Sequence, residues 1–218
     1  MDSQIALFIA LSGVSAILAS SELLWRKKVI KGENARKFVH ILVGTFVAFW
    51  PYFMSWQQIQ FMSLAFLVVV VISMQKHIFH AVHAVNRQTW GEFFFPIGVG
   101  ISALIMPAPI VFSAAILHLS VADGLAAVIG KKYGKNHQYK IGNYSKTLAG
   151  TLAFFLTSLI IVYITVILSG SQITLALVPL LICLPLAATA VENIAIAGTD
   201  NIFVPLLIIV VLQAAKIG

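Results

Sequence analysis

The stretch Asp123-Gly124-Leu125-Ala126-Ala127-Val128-Ile129-Gly130-Lys131-Lys132-Tyr133-Gly134-Lys135 puts one carboxylate on an apolar helix that runs straight into glycines and lysines. An ionised group at the centre of a membrane helix costs roughly 2.5 to 3.5 kcal/mol on insertion scales, so such a carboxylate signals function. The lysines beyond it point to phosphate as the ligand. On a helix Asp123 shares a face with Ala126, Ala127 and Gly130, at offsets of three, four and seven. That small face either lets a second helix pack close or lets phosphates approach the backbone near the helix end, and the aspartate, which packing alone does not need, favours the ligand.

A second group of acids lies later in the chain. Between Glu192 and Asp200 there are two carboxylates and no base. Acids close to lysines match magnesium, which takes a few carboxylates and completes its shell with water and substrate phosphates. Glu192 and Asp200 are therefore the expected partners of a cation. His77, His80 and His83 step three apart and spread around a helix, so they are read as interfacial rather than metal-binding.

Membrane-spanning elements must position these groups. The chain has 218 residues, 60% of them hydrophobic and 10% charged, against about 25% charged in a soluble domain. Uncharged runs cover 3–21, 38–75, 93–122, 147–191 and 201–215, and a span needs about 20 apolar residues. Pro51 with Gln57, Gln58 and Gln60, then Pro107 and Pro109, then Gly170, Ser171 and Gln172 divide the long runs. The reading is an all-α polytopic bundle of seven to eight spans, near 4–25, 38–54, 59–76, 90–106, 110–130, 147–168, 174–191 and 202–216. The fourth and eighth are short. The whole of 1–218 reads as one transmembrane domain, with Trp25, Trp50, Trp56 and Trp90 as interfacial anchors at span ends.

Basic residues set the orientation. Of the fourteen lysines and arginines, all but Lys216 fall in alternate loops, and the positive-inside rule makes that side cytoplasmic. The net charge of +7 reflects this bias plus bound anions, and gives no argument for nucleic acid. The acids Glu33, Glu92, Asp123, Glu192 and Asp200 fall on the same side. The phosphate-loop, kinase-loop, nucleophile-elbow and zinc-protease patterns are absent, so any nucleotide site is of another type.

Five segments in register then resemble the polyprenol kinase group, which includes dolichol kinase, phytol kinase and the CTP-dependent diacylglycerol kinase of yeasts. They are Arg36-Lys37-Phe38-Val39-His40 with Gly44; Arg87-Gln88-Thr89-Trp90-Gly91-Glu92 with Phe95-Pro96; Asp123 to Gly134; Lys146-Thr147 with Gly150-Thr151; and Asp200-Asn201 with Pro205. One departure is Ala149, where that group often has a glutamate. It weakens the match to dolichol kinase more than the match to the group.

The resemblance implies a lipid kinase at the cytoplasmic face. The γ-phosphoryl group of a nucleoside triphosphate, CTP by family precedent, would pass to the hydroxyl of phytol, farnesol, dolichol, undecaprenol or diacylglycerol. Magnesium would sit against Asp123 and Asp200. Gly130, Lys131, Lys132, Gly134, Lys146, Thr147 and Gly150 would form the nucleotide segment, and Arg36, Lys37 and Arg87 would hold the transferred phosphoryl or the lipid phosphate. Glu92, Asp200 and His40 are rival general bases. Two other readings stand beside it: a CTP-using cytidylyltransferase, whose glycine- and aspartate-rich signature is missing here, and a transporter. Against the transporter, the polar residues lie at one face and no repeat relates the halves.

Overall fold

The computed structural model describes residues 2–76, 90–142, 144–171 and 174–218. Its helices are α1 (Ser3–Arg26), α2 (Gly32–Ala48), α3 (Trp56–Lys76), α4 (Gly91–Leu104), α5 (Pro109–Tyr133), α6 (Leu148–Leu168), α7 (Val178–Ile194) and α8 (Asp200–Ala214). Between α5 and α6 a hairpin pairs β1 (Gln138–Ile141) with β2 (Tyr144–Thr147) in antiparallel register, Tyr139 opposite Lys146. Four helices, α1, α3, α5 and α6, are long and apolar enough to cross a membrane, while α4, α7 and α8 are shorter apolar helices. At ~1.5 Å per residue, the 14 residues of α4 span roughly 21 Å, short of the ~30 Å hydrocarbon core.

The expected breakers act where they stand. Pro51 sits in a 3₁₀ turn, Trp50–Tyr52, after α2. Met106, before Pro107, takes a positive φ of 50° between α4 and α5, and Gly170 at φ 73° ends α6. Proline in a helix interior removes a donor and frees a carbonyl. Pro205 in α8 leaves the Asn201 carbonyl without its usual partner, and that oxygen faces Gly98 of α4 so closely that a Cβ there would collide with it. Two further bonds join these helices: Asn201 Nδ2 donates to Gly91 O at 3.1 Å, and Trp90 N donates to Ala197 O at 3.0 Å. Gly198, at φ 97°, packs on the Gly91 backbone. The start of α8, with Asp200, is thereby fixed against the start of α4, with Glu92.

Helix α5 is the axis of the bundle. Of its apolar window 72% is buried, against 22% for α1 and for α3. One core, including Phe154, Val162, Ile208 and Leu212, packs α5 to α8 together. The other, including Trp50, Ile59, Met62, Phe112 and Ile116, packs α1 to α5.

Two expectations are corrected. Helix α2 starts at Gly32, not near 38, which lifts Arg36 and Lys37 out of the first loop and onto the helix. Burial of Lys37 is stabilised by a carboxylate on α5, as described below. Trp50 is no interfacial anchor: it is fully buried, stacked on Phe66 at 6.2 Å and edge-on to Phe46. Pro51 follows it in the 3₁₀ turn.

Overpacking a tight helix crossing costs about 1–3 kcal/mol. The Gly98→Ala variant should therefore unfold several degrees below the parent in detergent, followed by intrinsic fluorescence on heating. An unchanged midpoint would contradict the α4–α8 contact.

Candidate active site

Lys37 and His40 lie three residues apart on α2 and share a face. Both turn toward Asp123 of α5. The Lys37 ammonium donates to Asp123 Oδ2 in an ion pair whose side chains are 7% and 14% exposed, and His40 Nε2 lies 3.2 Å from the same oxygen. His40 Nε2 also reaches Leu119 O at 2.8 Å. Both neighbours are acceptors, so Nε2 carries the ring proton and Nδ1 is left as the basic nitrogen.

A π turn explains why Leu119 O is accessible. Over His118–Ala122 the helix is wound wider, and the Asp123 amide bonds the carbonyls of His118 and Ser120 rather than that of Leu119. Such single π turns often sit at functional sites. His118 faces the other way: it is fully buried and bonds Ser158 Oγ at 2.8 Å and Ala114 O at 2.7 Å. It serves as a helix–helix hydrogen bonder. Close approach of α2 and α5 needs glycine twice, since a Cβ on Gly44 would meet Ser120 and one on Gly124 would meet Ile41.

The hairpin brings a second pair. Lys146 Nζ donates to Glu192 Oε1 at 2.5 Å and to Glu192 O at 3.0 Å, tying β2 to the end of α7. Next to it Thr147 caps α6, its Oγ1 accepting from Gly150 N at 3.1 Å. Gly130 and Gly134 pack on Thr147, and Gly150 on Ala126 and Gly130, so these three glycines allow α5 and α6 to meet closely. Tyr139 OH donates to Asn193 Oδ1 at 2.7 Å and also contacts Thr151 Oγ1, which locks the hairpin to α6 and α7.

Arg36 pairs with Glu33 on its own helix, but its Nε is buried without a hydrogen-bond partner, as is Asn201 Oδ1. Both side chains border Gly91. A donor and an acceptor left bare in one wall leave unmet hydrogen-bonding capacity that a polar ligand would satisfy. Asp200 makes no hydrogen bond or ion pair among the described residues, yet it lies within electrostatic reach of Asp123, Glu192, Lys37 and Lys146.

The two ion pairs, His40, Arg36, Asp200 and Asn201 border one cavity of about 700 Å³. Its polar mouth includes Arg36, Lys37, His40, Asp123, Lys146, Glu192 and Asp200, with Glu92, Lys131, Gly130, Thr147 and Gly150 also on its wall. Below the mouth it continues between α1 and α2 on one side and α3 and α4 on the other, walled by residues such as Val43, Val47, Trp50, Phe66 and Val99. Two of the residues expected in the nucleotide segment are not on the wall. Lys132 is exposed, with its ammonium 5.0 Å over the Tyr133 ring, and Gly134 is buried in helix packing. Arg87 lies outside the described residues.

No group of three or more His, Cys, Asp or Glu among the described residues could by itself hold a metal. Asp200 and Glu192 nevertheless offer hard carboxylate oxygens at a mouth rich in cations, and this fits an ion that arrives with phosphate oxygens and keeps its waters.

Sequence reasoning missed the hairpin, Glu33 as the partner of Arg36, and the unpaired Asn201 oxygen. The hairpin had a signal: Gly142-Asn143 between two short runs containing tyrosine, the dipeptide of a tight turn.

Breaking one member of a buried ion pair leaves the other uncompensated, at about 3–5 kcal/mol. Lys37→Met should accordingly destabilise the protein strongly, and the double variant Lys37→Met/Asp123→Asn should regain most of that loss. Unfolding in detergent measures both, and a double variant no better than the single would contradict the pairing.

No protein-family model matches the chain, and no solved structure matches it. Among curated proteins it is 27% identical over 210 residues to a phytol kinase of Synechocystis, covering 93% of this chain and 88% of that protein. It is 28% identical over 220 residues to a probable chloroplastic phytol kinase 1 of Glycine max, covering 90% of this chain and 71% of that protein. The chain is thus similar to both phytol kinases over nine tenths or more of its own length.

Proposed function

We propose that the protein is a multi-pass membrane lipid kinase, with its active site at the cytoplasmic face. It transfers the γ-phosphoryl group of a nucleoside triphosphate, CTP by family precedent, to the hydroxyl of a long isoprenoid alcohol such as phytol. One observation carries this reading: a cationic, carboxylate-bearing mouth and an apolar cleft are parts of the same cavity. A phosphoryl donor suits the first and an alcohol with an apolar chain suits the second. Transfer between them needs mainly position and charge compensation.

The residues divide the work accordingly. Lys146, Lys131 and Arg36 border the mouth and would neutralise the phosphates, Arg36 through the Nε that lacks a protein partner. Lys37 is held in place by Asp123, so its remaining N–H groups face the cavity as fixed donors. Magnesium, when bound with the nucleotide, supplies further charge neutralisation at the transferred group, and Asp200 and Glu192 are the carboxylates that would hold it. The alcohol oxygen attacks the γ-phosphorus, the nucleoside diphosphate leaves, and the hydroxyl proton passes to a base. With Asp200 assigned to the magnesium, His40 and Glu92 are the bases left on the cavity wall. His40 would accept the proton at Nδ1, and Glu92 through its carboxylate.

A phosphoryl-transfer assay on the purified protein in detergent tests the reading, with γ-labelled CTP and ATP, magnesium present or chelated, and a panel of isoprenoid alcohols and diacylglycerol. The expected result is magnesium-dependent labelling of an isoprenoid alcohol, reduced at least a hundredfold by Asp123→Asn. Nucleotide binding without labelling of any lipid would favour cytidylyl transfer. No nucleotide binding at all would overturn the assignment of the mouth and favour a carrier.

A further inference from the structure

The apolar half of the cavity has a floor and an open side. Trp50 closes the far end, fully buried and braced by Phe46 and Phe66. At ~1.5 Å per residue, the ten residues from His40 to Trp50 put that floor roughly 15 Å below the mouth. A chain advancing about 1.3 Å per carbon, the projection of a ~1.5 Å bond, reaches it after about a dozen carbons.

The side is set by how the helices pair. Helix α1 packs on α2 and α3 packs on α4. α1 and α3 are joined at their first residues, where Gln58 Nε2 donates to Ser3 O at 2.8 Å and Ser3 Oγ at 2.9 Å. Toward the mouth their facing residues, Val14 and Leu18 on α1 and Val69, Val70 and Ser73 on α3, line the cavity instead of each other. Val69 is 43% exposed and Leu18 and Val70 are half-buried, whereas Val14 and Ser73 are buried. Among the described residues the wedge is thus held together at the Gln58 end, and its accessible residues, Leu18, Val69 and Val70, lie toward the charged mouth.

We propose that the cleft between α1 and α3 is a lateral port for the acceptor. A single-chain apolar alcohol enters through it from the bilayer, and the tail of a long acceptor stays in the port and the lipid, because Trp50 blocks its path downward. This rests on the lipid kinase reading and adds the route and the length rule. Acceptors whose main chain is shorter than the distance to Trp50 lie wholly inside; a twenty-carbon isoprenoid, with sixteen carbons in its main chain, protrudes sideways.

The experiment compares kcat/KM for a ten-carbon and a twenty-carbon isoprenoid alcohol in the parent, Leu18→Trp and Val69→Trp proteins, in lipid nanodiscs. Filling the port should lower the ratio of long to short by at least tenfold, and an unchanged ratio overturns the port. A parent that phosphorylates neither alcohol overturns the kinase reading instead. The port is then decided on the parent alone, by photolabelling with a twenty-carbon alcohol bearing a terminal diazirine. Label on the facing segments of α1 and α3 supports it, and label confined to the peptide around Trp50 overturns it.

Discussion

The structure depends on how a carboxylate is kept inside an apolar bundle. Asp123 is acceptable there because Lys37 and His40 come from a second helix to meet it, and an isolated ion in that place would be prohibitively costly. That single requirement explains several otherwise unrelated features. Helix α2 must begin early enough to carry Lys37 inward. Gly44 and Gly124 must be small so that α2 and α5 approach. The π turn exposes Leu119 O as a second acceptor for His40, which fixes the ring and its tautomer.

A second clamp, Lys146 on Glu192, works on the other side of the mouth. It holds the hairpin across the ends of α6 and α7, and the Tyr139, Thr151 and Asn193 bonds reinforce it. Between the two clamps lies Asp200, which makes no ion pair among the described residues and is placed by the α4–α8 crossing. The polar mouth is thus assembled from α2, α4, α5, the hairpin, α7 and α8, with each piece anchored by a different physical device. The apolar cleft below belongs to α1 to α4. A donor and an acceptor of opposite polarity can meet where the two regions join.

Much of this was legible in the sequence, because hydropathy and breakers are local signals. The bundle, the helix divisions at Pro51, Pro107 and Gly170, and the short α4 and α8 all follow from them. Asp123, Glu192 and Asp200 stand out because charge is rare in apolar sequence, and Lys37 and His40 through the resemblance; the structure places all five on the wall of one cavity. What stayed hidden were pairings across distance. Nothing local says that Lys37 meets Asp123, so hydropathy alone starts α2 near residue 38 and puts Arg36 and Lys37 in a loop. Trp50 had the composition of an interfacial anchor, and only the stacking of Phe66 against it shows otherwise. Lys132 and Gly134 were grouped with the phosphate ligands by proximity in sequence, whereas helix geometry turns one outward and buries the other. The hairpin was missed through neglect of a turn signal that was present.

Initial-rate kinetics with nucleotide and alcohol varied together would test the central claim most directly, that donor and acceptor occupy one cavity and react without an enzyme-bound phosphoryl group. The account predicts intersecting double-reciprocal lines and no labelled protein after incubation with γ-labelled nucleotide alone. Parallel lines, or a phosphorylated protein that passes its label to the alcohol, would contradict it.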